Sequence, residues 1–77
     1  MTDTADDVKA AIEKALPGAQ AFVRGGGGHF EIVVTSAEFA GKGTVEKQRL
    51  VYRAIKHLMA GDDAPVHAVD RLDCKTP

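Results

Sequence analysis

Four consecutive glycines, Gly25 to Gly28, stand directly before the run His29-Phe30-Glu31-Ile32-Val33-Val34-Thr35. Glycine takes positive φ as readily as negative and is a poor helix former, so such a run marks a reversal of the chain. The residues after it are mostly β-branched or aromatic, the composition of a half-buried strand. Those before it, Ala19 to Arg24, alternate loosely in polarity and read as a strand as well. Strand, glycine connection and strand predict a β-hairpin. A hairpin of this kind must bury one face, so the flanking segments have to supply its cover.

They carry helical patterns. Thr4 and Asp7 have capping-box spacing, with Asp in the place of the usual Glu or Gln. Val8, Ala11, Ile12, Ala15 and Leu16 then recur at helical intervals, and Pro17-Gly18 ends the helix. Ser36 to Gly43 is turn-like, with Phe39 as an anchor beneath it. A second helix is predicted from Thr44 to Ala60, capped by Thr44 and closed by Gly61-Asp62-Asp63. On its wheel Val45, Val51, Tyr52, Ala54, Ile55, Leu58 and Met59 share one half, and Arg49, Arg53 and Lys56 the other. After Pro65, Val66 to Asp73 reads as a third strand, with Val66, Ala68 and Leu72 on one face and His67, Val69 and Arg71 on the other. The order is αββαβ. It predicts an α+β fold, one domain over residues 1–77, with both helices on one face of a three-stranded sheet.

Composition narrows the functions open to such a chain. It has 77 residues, 44% hydrophobic and 27% charged, with ten Lys and Arg against eleven Asp and Glu. A net charge of -1 argues against a generally basic nucleic-acid coat protein but leaves room for a local basic patch. With no Trp and four other aromatic residues, a stacking platform for single-stranded bases is not expected. The acidic start and the lack of a long apolar run predict no secretory leader and no membrane span. A single cysteine excludes an intrachain disulfide, and a reducing, cytoplasmic compartment is the expectation.

Few residues suggest chemistry. His29 borders the glycine run and His67 sits in the third strand, so two imidazoles on neighbouring strands could ligate a metal together. Two singly hydrogen-bonded, exposed histidines explain the same pattern. The glycines precede a strand and not a helix, which removes a dinucleotide fingerprint. Gly41-Lys42-Gly43-Thr44 has its Lys on the wrong side of the second Gly for a P-loop. Arg49, Arg53 and Lys56 could track phosphates, or could be the solvated face of an ordinary helix. Cys74 reads as an inert exposed thiol in the tail. No nucleophile–base–acid set is apparent, and an enzyme is not expected.

Taken together, His29-Phe30-Glu31-Ile32-Val33-Val34, Phe39-Ala40-Gly41, Val45-Glu46-Lys47-Gln48-Arg49-Leu50-Val51-Tyr52, Val66-His67-Ala68-Val69 and the closing Thr76-Pro77 resemble the BolA family. The Lys-Gln pair and the glycine hairpin look most like its IbaG-like branch. The resemblance runs from Val8 to Pro77 and implies the αββαβ layout, related to class II KH-like folds. It further implies a non-enzymatic partner of a monothiol glutaredoxin, sharing a bridging [2Fe–2S] cluster in iron–sulfur trafficking or iron homeostasis. Glutaredoxin and its glutathione would supply the thiolates. The family's constant histidine ligand matches His67, and its second ligand lies in the hairpin, where this chain has glycine at the matching Gly26 and His29 as the nearby substitute. The chain alone would hold no cluster stably and would be a monomer or weak homodimer. Some relatives regulate transcription by binding DNA through the second helix, and Arg49, Arg53 and Lys56 would do so here.

Overall fold

The computed structural model describes residues 4–77. The first helix, α1, spans Thr4–Ala15 and buries Val8 and Ile12 completely. Thr4 is itself helical and is not the cap expected there. Ala15 is exposed, and Leu16 continues the buried stripe just beyond the helix. Gly18, at φ +83°, turns the chain into the sheet.

The hairpin is tighter than a four-glycine loop. Strand β1 (Gln20–Gly26) pairs antiparallel with β2 (His29–Thr35), in a register running from Gln20 opposite Thr35 to Gly26 opposite His29. Gly25 and Gly26 therefore belong to the strand, and only Gly27 and Gly28 form the turn, at φ +63° and +86°. Positive φ at both central positions is the type I′ requirement, which matches the twist of the flanking strands. After β2 a 3₁₀ turn (Ala37–Phe39) is capped by Ser36, whose Oγ accepts the Glu38 N–H at 3.1 Å. Phe39 is fully buried, as its anchoring role requires.

Helix α2 spans Thr44–Met59, with Gly43 and not Thr44 at its N-cap and Ala60 at its C-cap. Gly43 keeps extended backbone (φ -74°, ψ 167°) while Thr44 has already turned helical, so no side chain caps this end. Strand β3 (Ala68–Lys75) starts and ends two residues later than the expected 66–73. The reason lies in the backbone: Val66 N–H bonds the Leu58 carbonyl at 3.1 Å and His67 N–H the Gly28 carbonyl at 2.8 Å, so both residues dock the chain before the ladder begins. At the other end the Lys75 carbonyl accepts the Ser36 N–H at 2.9 Å and extends the strand.

The sheet order is β1-β2-β3, with β3 parallel to β2. Phe30 lies opposite Val69 and Glu31 opposite Arg71, which leaves Asp70 as an extra residue in a β-bulge. Val66 and Leu72 lie on the expected covered face and His67 and Arg71 are exposed as expected, but at the bulge Val69 turns inward against the alternation. Ala68 stands beside His29, and Val69, Leu72 and Cys74 pack on the core. Cys74 is accordingly a half-buried strand residue and not an exposed tail thiol. The core fills the space between the helices and one sheet face, joining Val8 and Ile12 to Phe30, Ile32 and Val34 of β2 and to Val51 and Ile55 of α2. The opposite sheet face is open, with Phe22 64% exposed beside the Arg24–Glu31 and Arg71–Asp73 ion pairs. Among the described residues no helix is long and apolar enough to cross a membrane.

Candidate metal site at the hairpin end of the sheet

The type I′ turn ends at Gly28, whose carbonyl accepts the N–H groups of His67 at 2.8 Å and Ala68 at 3.0 Å. This pair of bonds pins the start of β3 to the hairpin and sets His67 at the rim of the sheet. The imidazole of His67 lies against the bare Cα of Gly28, and a Cβ there would overlap Cδ2 of the ring. Glycine at 28 thus meets two demands, a positive φ for the turn and a seat for the ring. His29, the next residue, pairs with Ala68 across the ladder. Its Nδ1 stands 3.3 Å from Oδ1 of Asp70, and both side chains are more than half exposed.

The backbones of the two histidines therefore converge on one glycine, a juxtaposition that strand assignment alone did not establish. Asp70 escaped the sequence reading because strict alternation put no carboxylate beside His29. A signal existed: Val66, Val69 and Leu72 recur at intervals of three, which breaks the period of two and marks a bulge. Cys74 takes no part. It pairs with Val34 toward the other end of β3, and burial pushes its thiol pKa up, away from the thiolate that binds metal.

Neutral imidazole nitrogen is a good donor for iron and zinc. Among the described residues no three His, Cys, Asp or Glu side chains gather into a group able to hold a metal by themselves. His67 stands exposed at the rim of the sheet, its N–H bonded to Gly28, and His29 is the residue that follows Gly28.

A second surface lies on α2. Arg49, Arg53 and Lys56 are exposed and, with Tyr52 and Met59, line a shallow hollow of about 400 Å³. Tyr52, expected in the buried half of the helix, is 38% exposed, and Val45 is 58% exposed. Both sit roughly 100–120° around the wheel from Val51, past the edge of contact with the sheet. Among the described residues no carboxylate forms an ion pair with any of the three cations.

The sequence profile described as BolA-like protein matches residues 8–77. The chain belongs to the BolA-like family. This BolA-like chain is 32% identical over 80 residues to BolA-like protein 1 of Mus musculus, covering 91% of itself and 56% of that protein. It thus spans little more than half the length of that relative. Among solved structures, a bolA protein homologue from Coxiella burnetii superposes with a TM-score of 0.80 at 36% identity, over 100% of this chain and 94% of the other. The solution structure of BolA1 from Mus musculus gives 0.77 at 31% identity, over 100% and 68%. The α+β architecture, two helices on a three-stranded mixed sheet, is that of these BolA structures.

Proposed function

We propose that this BolA-like chain is a non-enzymatic partner of a monothiol glutaredoxin, the two sharing a bridging [2Fe–2S] cluster as cargo in iron–sulfur trafficking or iron homeostasis. His67 is the principal ligand offered by this chain and His29 the second; glutaredoxin and glutathione supply thiolates to the other iron. The observation that carries the reading is the exposed His67 imidazole, seated on a glycine at the sheet rim with His29 one residue further along the hairpin. Replacing thiolate by neutral imidazole makes a cluster less negative and easier to reduce, which suits a site that receives and passes on its cargo. The reading requires a compartment where thiols stay reduced, and we assign the cytoplasm. The free chain is then a monomer or weak homodimer.

The test mixes each variant with cluster-loaded glutaredoxin and follows the visible circular dichroism of the heterodimer. His67→Ala is expected to abolish the heterodimer signal while changing stability by no more than about 0.5 kcal/mol, as exposed positions usually do. His29→Ala should weaken the signal, and Cys74→Ser should leave it intact. A preserved signal for His67→Ala, with loss for Cys74→Ser, would move the site to the far end of β3. Anaerobic reconstitution of the chain alone should give no stoichiometric cluster, since the ligand set is incomplete.

The second reading is a DNA-binding regulator acting through α2. It is favoured by one feature, the grouping of Arg49, Arg53 and Lys56 around Tyr52 without carboxylate partners among the described residues. Like charges at i and i+4 cost a helix a few tenths of a kcal/mol, so Arg49 and Arg53 are a small expense that phosphate binding would offset. Absence of a gel shift on duplex DNA at low salt removes it.

A further inference from the structure

We propose that Asp70 is a positioning residue for His29, fixing the hydrogen on Nδ1 so that Nε2 presents the ligating lone pair. The inference rests on the ligand role proposed for His29. Its structural basis is the bulge: β3 carries one residue more than β2 opposite Phe30 and Glu31, and that residue is Asp70. Bulges re-aim side chains at the ends of ladders, and here the carboxylate comes to 3.3 Å from Nδ1 of His29. A carboxylate only accepts hydrogen bonds, so the nitrogen facing it is the one that holds the hydrogen in the neutral ring. The lone pair is then left on Nε2. Metal-binding histidines commonly donate their second N–H to a carboxylate in this way, which sets both tautomer and ring direction.

The two histidines are thus held by different means. Asp70 orients His29 through a hydrogen bond, whereas the seat on Gly28 orients His67 by shape. His67 makes no side-chain hydrogen bond among the described residues, so it serves as an internal control.

Long-range ¹H–¹⁵N correlation spectra of the full chain, recorded at about pH 8.5 where ordinary histidines are neutral, read the tautomers directly. The native chain and Asp70→Asn should both show His29 with hydrogen on Nδ1, because the amide oxygen still accepts. Asp70→Ala should move the hydrogen to Nε2, and the His67 pattern should be the same in all three. A native His29 with its hydrogen on Nε2, or a tautomer unmoved in Asp70→Ala, overturns the proposal. The ligand reading fails separately: the expected tautomers together with an undiminished heterodimer dichroism in His29→Ala would exclude His29 as a ligand and leave the hydrogen bond standing.

Discussion

At Gly25 and Gly26 two adjacent glycines carry opposite constraints. Gly25 has φ +132°, and a Cβ on it would overlap the His29 carbonyl oxygen. Gly26 has ordinary backbone and open space around its Cα. Gly25→Ala should therefore cost about 2 kcal/mol or more through backbone strain. Gly26→Ala should be neutral or stabilise by about 0.5 kcal/mol, since alanine loses less entropy in a strand. Urea denaturation of the two variants checks the contrast in sign. The same freedom means that a longer side chain at 26 would fit beside His29. Glu13 supplies a second residue-scale prediction. Its carboxylate accepts hydrogen bonds from Lys9 and from the Ala21 N–H, and these hold its pKa below the usual glutamate value, Lys9 contributing most. A carboxyl whose pKa is lowered on folding stabilises the protein above its unfolded value and loses that contribution as pH falls through the folded one. The stability advantage of the native chain over Glu13→Gln should accordingly be full at neutral pH, begin to decline as pH falls past the ordinary glutamate value of about 4.3, and vanish only once pH is below the lowered folded value. Equal stabilities at every pH would show that the contact is worth nothing in solution.

Elements hold together here through a few fully buried side chains, because a domain this small has little core to spare. Phe39 sits on a three-residue 3₁₀ turn between β2 and α2 and is completely buried. Truncating a buried phenylalanine to alanine costs about 3–5 kcal/mol. That approaches the whole stability of a small domain, so Phe39→Ala should leave a substantial unfolded fraction at room temperature. Ile55→Val, on the buried stripe of α2, should cost only about 0.5–1.5 kcal/mol and keep a cooperative melt. Thermal unfolding by far-ultraviolet circular dichroism separates the two outcomes. A Phe39→Ala melt within a few degrees of the native one would show that the turn, despite its burial, is not what joins the hairpin to α2.

Over the whole molecule, charge is segregated although the total is near zero. Asp6, Asp7 and Glu13 outweigh Lys9 and Lys14 in α1, while Lys47, Arg49, Arg53 and Lys56 face Glu46 alone in α2. If the α2 surface neutralises three phosphates, duplex-DNA affinity should fall with salt at a log–log slope near about -2.7. The candidate metal site lies elsewhere, at the junction of hairpin and β3. Arg53→Glu should therefore change any DNA affinity and leave the dichroism of the proposed glutaredoxin heterodimer as it was, which gel shifts and spectra on one variant can establish together. Loss of both would mean that one surface serves both partners.

Residue types in local order were enough to determine the hairpin, the two amphipathic helices and the family likeness. Glycine's freedom of φ, the 3.6-residue apolar repeat and the β-branched run each act within a few residues of chain. The anchor at Phe39 and the cationic stripe of α2 were legible for the same reason. Other features depended on partners distant in sequence. The start of β3 moved because Val66 and His67 spend their N–H groups on Leu58 and Gly28, and its end because the Lys75 carbonyl accepts the Ser36 N–H. Val69 turned inward, against strict alternation, because Asp70 enters as a bulge, and Tyr52 stayed exposed because the sheet reaches only part of the α2 wheel. The pinning of His67 to Gly28, next to His29, and the approach of Asp70 to His29 belong to this second group. Parallel pairing joins residues about forty apart, and no local pattern carries the register in which they meet.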